Sequence, residues 1–260
     1  MTTSSNSLRT GYGKVEQIPV MWVLPEKVTP QCKLVIWLAG GFSKMETVLP
    51  ILELLALAGY VAVSFDSWER GSRATEEPDV VATRAWANFP LVAFPILGNG
   101  ALEVLRVVDW AAKEFNLSAP FAVGGRSLGG DIAVAAAGLD PRIACVAAIV
   151  ATPDWKRPGM HVDGVLIGEG QPDAYASYFY NRINPITNPR SYAHCPAILF
   201  ECGAEDDHVP PDGALRFQKI LADVYGEKTN RIRVNLHPNL GHGSVPEMMD
   251  NCLAWFQKHI

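Results

Sequence analysis

Short runs of apolar residues alternate with amphipathic segments along most of this chain. Residues 34–38 form a continuous apolar run that ends at Gly40 and Gly41, which predicts a strand buried on both faces. Apolar side chains then recur at helical spacing over residues 45–58, and the next residue is a glycine, which is typical of a helix C-terminus. Residues 60–65 are predicted to form the next strand.

The same alternation continues to the C-terminus. It predicts strands at residues 121–123, 144–150, 197–201 and 231–236, and helices at residues 101–115, 128–137, 212–225 and 245–259. Strands that alternate with helices of about 10–15 residues imply βαβ crossovers and a mostly parallel sheet with helices on its faces. Residues 15–24 are placed at an edge as one or two antiparallel strands. We therefore predict one α/β domain over residues 1–260.

Two segments break the alternation. Residues 68–100 follow a strand and are rich in Arg, Pro and aromatic residues, and residues 152–196 carry several prolines and an aromatic cluster. Long irregular segments of compact domains are often functional or lid-like. Ligands of open α/β sheets bind beyond the carboxyl ends of the strands, which both segments follow. We expect residues 153–196 to form a small cap-like insert.

The composition excludes several classes of protein. Of 260 residues, 48% are apolar and 19% are charged, which rules out intrinsic disorder. The formal net charge is −5 and no Lys/Arg-rich run is present, so nucleic acid is not an expected partner. The five cysteines are scattered and form no C-x-x-C pair, so we expect free thiols, as in a reducing compartment.

No targeting or membrane segment is predicted. Residues 1–13 lack the apolar core of a signal peptide. The longest apolar stretch, residues 89–102, is interrupted by Pro90, Pro95 and Gly98 and is shorter than the ~20 residues that a membrane span needs. We expect a cytoplasmic protein that binds no membrane. The sequence carries no readable signal of its oligomeric state.

The most informative motif is Gly-x-Ser-x-Gly, formed by Gly125, Ser127 and Gly129. It follows an apolar strand and opens a helix rich in small residues. A nucleophilic serine needs a sharp strand-to-helix turn that holds its Oγ outward, and the flanking glycines let neighbouring backbone approach. The helix N-terminus favours a developing negative charge. On its own the motif is weak, because a serine in this position is more often an ordinary helix N-cap.

From about Lys33 onward, the chain resembles the α/β-hydrolase family, whose triad runs in the order serine, acid, histidine. Residues 203–210 look like the family's G-x-x-D-x-x-V-P turn, which makes Asp206 the acid and Asp207 the second choice. His242, in a Leu-Gly-His-Gly loop before the last helix, would be the base. The layout looks most like the compact dienelactone-hydrolase and prolyl-oligopeptidase-like branch, although dienelactone hydrolases use a Cys nucleophile and this chain has Ser127.

The resemblance also implies an oxyanion hole made of two backbone amides. One is the amide of Leu128, directly after the nucleophile, and the other comes from the loop after the first buried strand. That second donor is Gly41 or Phe42, with Phe42 slightly favoured. Many relatives have His-Gly-Gly in this loop and this chain has Ala39 in place of the histidine. Because the donor is a backbone amide, the change need not impair it.

Other candidate residues carry weaker signals. Trp68, Arg70 and Arg73 lie where the family often has residues at the pocket edge. Arg126 is interpreted as a buried charge or a charge at the rim, and Tyr178 belongs to the aromatic cluster of the insert. Packing of the insert against the body explains Tyr178 at least as well as substrate contact. No H-E-x-x-H motif, no clustered Cys/His pairs and no G-x-G-x-x-G after the early strand are present, so we expect no metal and no cofactor.

The predicted function is hydrolysis of a carboxylic ester through an acyl-serine intermediate. Because the lid material is short and the pocket walls are expected to be apolar, small acyl or aryl esters fit better than triglycerides. One alternative is an amide, peptide or thioester hydrolase with the same triad, although no specificity domain of a peptidase is visible in these residues. Another is a ligand receptor that uses the hydrolase fold.

Overall fold

A computed structural model describes residues 8–41, 43–167 and 170–260 of the chain. Eight of its strands form one sheet in the order β1-β2-β4-β3-β5-β6-β9-β10, and β7 and β8 form a separate hairpin. The strands are β1 (Arg9–Val15), β2 (Ile18–Leu24), β3 (Leu34–Leu38), β4 (Val61–Phe65), β5 (Phe121–Arg126), β6 (Ile143–Ile149), β7 (His161–Val162), β8 (Val165–Leu166), β9 (Ala197–Gly203) and β10 (Ile232–His237). In this order within the sheet, every neighbouring pair of strands from β4 through β3, β5, β6 and β9 to β10 is parallel.

The predicted mostly parallel α/β fold is confirmed. The predicted edge strands are also confirmed, because β1 and β2 form an antiparallel hairpin and β2 pairs antiparallel with β4. Each central strand supplies two cores: Ile36 of β3 belongs to one apolar cluster, and its neighbours Val35 and Trp37 belong to the cluster on the other face. A strand buried on both faces reads as a continuous apolar run because both sets of alternate side chains are covered.

Seven α-helices cover the sheet in the part of the chain that the structure describes. They are α1 (Leu49–Leu57), α2 (Pro78–Ala87), α3 (Phe89–Glu114), α4 (Leu128–Leu139), α5 (Ala174–Ile183), α6 (Asp212–Tyr225) and α7 (Pro246–His259). The core on one face draws on α3, α4 and α6, and the core on the other face draws on α1 and α7. The helix expected at residues 45–58 begins as a 3-10 turn, Met45–Val48, before α1.

The expectation that residues 68–100 are irregular was wrong, although several of them line the cavity described below. Most of this segment is helical, because it contains α2 and the first half of α3. Pro90 lies in the first turn of α3, where a missing N–H disrupts no helical bond, and only Pro95 lies inside the helix. Packing requires a glycine at position 98, because a Cβ there would lie 2.1 Å from the ring of Phe179 in α5. Tertiary contact therefore overrides the local signals that break helices.

Helix α3 is long and apolar enough to cross a membrane by length and hydropathy alone, but 61% of its most apolar window is buried inside the fold. It packs against α4, α5 and α2. A core helix can have the same length and apolar composition as a membrane span, and burial on this scale is typical of a core helix.

The segment predicted as an insert packs against α3 and α4 through α5. It contains the β7–β8 hairpin and α5, followed by two 3-10 turns. The amide of His161, the first residue of the hairpin, donates to the carbonyl of Asp207 over 2.7 Å. The hairpin is thereby attached to the loop that follows β9.

Candidate active site

Ser127 occupies a strained turn between β5 and α4. Its φ of 50° and ψ of −123° fall outside the regions that L-residues ordinarily adopt. The turn is possible because two glycines meet: a Cβ on Gly125 would lie 2.6 Å from the carbonyl carbon of Gly129. A Cβ on Gly129 would in turn lie 2.5 Å from the carbonyl oxygen of Ala39. Both glycines of the motif are thus required by close backbone approach.

Ser127, His242 and Asp206 lie in hydrogen-bond contact. The Ser127 Oγ is 3.0 Å from Nε2 of His242, and Nδ1 of the same ring is 2.7 Å from Oδ2 of Asp206. A carboxylate only accepts hydrogen bonds, so Nδ1 carries the proton and Nε2 accepts the hydroxyl proton of the serine. Ser127 and Asp206 are buried at 6% and 3% exposure. This is the geometry that a serine nucleophile and its base require.

Asp206 is held by its own loop. Its Oδ1 accepts the backbone amides of His208 and Val209 over 3.0 and 2.8 Å. The loop with His242 packs closely on the end of β9, where a Cβ on Gly203 would lie 2.2 Å from the carbonyl oxygen of Gly241. Asp207, the second choice for the acid, is exposed, and its carbonyl binds the insert. The structure therefore brings Asp206, and not Asp207, to the histidine.

Two of the three predicted oxyanion donors can be located. Leu128 is the first residue of α4, so its amide has no carbonyl one turn earlier to bind. Gly41 lies at the cavity beside Ser127 and has a φ of 51°, a left-handed conformation suited to glycine. Phe42, the third, lies outside the described residues.

Arg70 lies behind the loop that carries Gly41, away from the cavity. It is 3% exposed, and its Nη2 donates to the carbonyl of Ala39 over 2.9 Å. Burial lowers the pKa of Arg70 to about 10, against the opposing effect of Asp66, so the guanidinium is charged at neutral pH. The structure gives Arg70 a supporting contact with the loop and no contact with the cavity.

A cavity of about 480 Å³ opens beside the serine. Its wall is mainly apolar, and none of its described residues is an Asp or Glu. The described lining residues are Trp37, Gly40, Gly41, Ser43, Thr47, Val48, Ile51, Ala82, Ala85, Trp86, Phe89, Ala93, Ile96, Arg126, Ser127, Leu128, Arg157, His208 and His242.

Of the five weaker candidates, only Arg126 lies at this cavity. Its Nη2 donates to the carbonyl of His242 over 3.2 Å, which ties the nucleophile turn to the histidine loop. The amide of Trp68 donates to Glu103 over 2.8 Å, and its side chain lines a different depression. Tyr178 is 58% exposed on α5, outside the cavity lining.

The sequence patterns did not single out Arg157 and His208. Arg157 is buried and pairs with Asp131 of α4; burial raises the pKa of Asp131 against the opposing effect of Arg157. Burial, followed by the positive charge of Arg157, lowers the pKa of His208 to about 4. One signal was available: Asp131 is the only charged residue of an otherwise small and apolar helix, and a buried charge needs a partner.

The described residues contain no group of three or more His, Cys, Asp or Glu side chains arranged to hold a metal ion. The five cysteines are free, and four of them are buried. Burial raises the pKa of the Cys202 thiol to about 12, so this thiol is not a nucleophile at neutral pH.

Comparisons with known proteins identify a matching family and similar folds. The model of the prolyl oligopeptidase family matches residues 98–260, which include Ser127, Asp206 and His242. No curated protein sequence matches the chain. Among solved structures, TT1662 from Thermus thermophilus superposes with a TM-score of 0.77 at 22% identity, over 97% of this chain and 98% of that one.

Two further structures show the range of the fold. A protein from Klebsiella pneumoniae subsp. pneumoniae, provisionally assigned as a dienelactone hydrolase, has a TM-score of 0.66 at 17% identity, over 97% of this chain and all of that one. The acylaminoacyl peptidase of Pyrococcus horikoshii has a TM-score of 0.69 at 14% identity, over 99% of this chain and 42% of its own. At these identities the likeness concerns the fold alone.

Proposed function

We propose that this chain, which belongs to the prolyl oligopeptidase family and is a serine hydrolase, cleaves small carboxylic esters through an acyl-serine intermediate. The observation that carries the proposal is the contact of the Ser127 Oγ with Nε2 of His242 at the wall of an open, mainly apolar cavity. Asp206 holds the other nitrogen of the ring. These three residues are proposed as nucleophile, base and orienting acid.

In the first half-reaction, the Ser127 Oγ attacks the ester carbonyl carbon while its proton passes to Nε2 of His242. The amide of Leu128, with that of Gly41 or Phe42, binds the oxyanion of the tetrahedral intermediate. Each such donor is worth ~10²–10³ in rate. The C–O bond to the alcohol then breaks, and His242 returns the proton to the leaving oxygen. Asp206 stabilises the imidazolium in between.

In the second half-reaction, water replaces the alcohol. His242 removes a proton from the water, whose oxygen attacks the acyl carbon, and returns the proton to the Ser127 Oγ as the acid leaves. The released products are a carboxylic acid and an alcohol. All proton transfers use one histidine, and the scheme calls on no metal or cofactor.

The cavity supports an ester of limited size. Its volume of about 480 Å³ suits a small acyl or aryl group. A substrate with a protonated amine would be poorly stabilised because the described lining has arginines and no carboxylate. This charge distribution disfavours substrates that are recognised through a free amino terminus. We therefore rank esters above peptides.

Labelling by a fluorophosphonate tests the nucleophile. Wild type should be labelled and Ser127→Ala should not, while Ser43→Ala, which removes another serine of the same cavity wall, should be labelled like wild type. Equal labelling of Ser127→Ala and wild type would overturn the assignment. An unlabelled wild type would favour the ligand-receptor alternative.

Matched substrates test the reaction. We expect p-nitrophenyl acetate and butyrate to be hydrolysed faster than the palmitate ester, and p-nitroacetanilide to be turned over far more slowly than p-nitrophenyl acetate. Preference for palmitate would contradict the size limit, and preference for the anilide would favour an amidase. A cytoplasmic location, and the absence of nucleic-acid and membrane partners, stay predictions.

A further inference from the structure

His208 lies beside the triad without being part of it. It follows Asp206 by two residues, and its ring lines the catalytic cavity. The ring centroid is 4.7 Å from that of His242 and 5.4 Å from that of Trp86, both in edge contact. Since its backbone amide also binds Asp206, the side chain has a defined position on the cavity wall.

The hydrogen bonding of His208 fixes its tautomer. Its Nδ1 lies 3.3 Å from the carbonyl oxygen of His161 in the hairpin of the insert. A carbonyl only accepts, so Nδ1 carries the proton. With a pKa of about 4, the ring is neutral at pH 7, and Nε2 keeps its lone pair. Nε2 has no partner among the described residues and is not sealed inside the protein.

Arg157 presents a hydrogen-bond donor at the same cavity, which complements the acceptor Nε2 of His208. Its Nη2 is used by Asp131, while Nη1 makes no hydrogen bond to a described residue. The guanidinium carbon lies 5.0 Å from the centroid of the Phe89 ring, in cation–π contact. Arg157 and His208 both line the cavity, so the donor and the acceptor open on the same space.

We propose that Arg157 and His208 select substrates that carry a hydroxyl group. The hydroxyl oxygen accepts from Nη1 of Arg157, and its hydrogen is donated to Nε2 of His208. Trp86 and Phe89, whose rings are parallel within 8° at 6.2 Å, supply an apolar wall beside this pair. The substrate class is therefore a hydroxyaryl ester. The inference rests on the proposed function only in that the ester is cleaved at Ser127.

Binding to the Ser127→Ala protein tests the selection without turnover. The probes are methyl 3-(4-hydroxyphenyl)propanoate and its 4-methoxy analogue, in which the oxygen can accept but not donate. By calorimetry we expect the hydroxy ester to bind about fivefold more tightly, the effect of one hydrogen bond to a neutral group. Adding His208→Phe keeps a ring against Trp86 but removes the acceptor, and should bring the ratio of dissociation constants to about one.

Two further variants control for packing. His208→Gln places an amide oxygen near the position of Nε2 and should restore part of the preference. Tyr178→Phe removes a hydroxyl of the insert outside the cavity and should leave the ratio as in Ser127→Ala alone. Thermal unfolding checks that each variant folds.

Equal binding of the two esters by Ser127→Ala, or an unchanged ratio after His208→Phe, would overturn the proposal. Turnover by wild type is a separate readout. A preference for the hydroxy ester in Ser127→Ala, together with no hydrolysis of either ester by wild type, would reject the proposed function and leave the binding inference standing.

Discussion

Asp131 and Arg157 form an almost fully buried ion pair, and Asp131 lies one helical turn beyond Ser127. Their side chains are 0% and 2% exposed. The second carboxylate oxygen of Asp131 accepts the amide of Thr152 over 2.7 Å. The pair thus joins the helix that follows Ser127 to the start of the insert. Removing either partner leaves a buried charge without compensation.

We expect Asp131→Asn to lower the free energy of unfolding by about 3–5 kcal/mol, because the Arg157 guanidinium would stay buried and unpaired. Arg157→Met should have a cost of the same order. The double variant should be less destabilised than the sum of the two singles, since it removes both charges. Urea unfolding of the four proteins measures this coupling, and strict additivity would contradict it. Arg84→Met, in an exposed ion pair with Glu76, is the control and should change stability by less than about 1 kcal/mol.

The two neighbouring aspartates should differ sharply in their effect on turnover. Asp206→Asn removes the carboxylate that fixes the tautomer of His242, and should lower kcat by ~10³–10⁴ with little change in KM. Asp207→Asn changes an exposed side chain and should leave kcat within about twofold. Ester kinetics on the pair measure the difference. Full activity of Asp206→Asn would move the acid role to Asp207.

Arg70 should affect catalysis through the loop that it supports. Arg70→Met removes the donor to the Ala39 carbonyl, which loosens the position of the neighbouring amides that we propose as oxyanion donors. We expect kcat to fall by about tenfold while KM changes little, because the loop acts on the transition state. Arg73→Met, which removes a partly buried pair with Glu103, is the matched control and should act on stability rather than on kcat. A change in KM alone would instead indicate that Arg70 contacts substrate.

Stability should fall as the pH is lowered through the titration of His208. Its pKa is about 4 in the folded protein and ~6.5 in the unfolded chain. Below pH ~6.5 the unfolded state therefore binds the proton first, and stability is lost progressively down to pH ~4. Allowing for partial exposure, we expect a loss of about 1 kcal/mol between pH 7.5 and pH 5.

His208→Phe should lose less stability over that interval than wild type does, as measured by urea unfolding at both pH values. His259 is the control, because burial also lowers its pKa to about 4. His259→Phe should likewise lose less stability than wild type between the two pH values, and its effect should not depend on the substitution at His208. An identical pH dependence of wild type and His208→Phe would contradict the prediction.

The alternation of strands and helices was predictable from local periodicity, whereas Ser127, Asp206 and His242 were singled out by motifs that resemble those of the α/β-hydrolase family. Continuous apolar runs marked the strands that are buried on both faces, and the Gly-x-Ser-x-Gly spacing marked a turn that only glycines allow. The helix Asp212–Tyr225 was predicted to the residue, since its apolar periodicity and the glycine that follows agree.

Other features depended on residues that are distant in sequence. Pro95 and Gly98 interrupt the apolar stretch of residues 89–102, but the packing of α5 on α3 makes the glycine necessary inside one continuous helix. Arg70 was a candidate for substrate contact because of the family resemblance, whereas the fold turns its guanidinium toward Ala39. A sequence pattern gives the position of a residue along an element but not the partner that its side chain will meet.

The sequence by itself therefore determined the α/β fold through local periodicity, and the Gly-x-Ser-x-Gly spacing singled out Ser127 as the candidate nucleophile. The order of serine, acid and histidine came from the resemblance to the α/β-hydrolase family. Only the tertiary structure decided that Asp206 rather than Asp207 reaches His242, and that Arg157 and His208 lie at the cavity. Those outcomes depend on which long-range contacts satisfy buried charges and lone pairs, and such contacts exist only once the chain has folded.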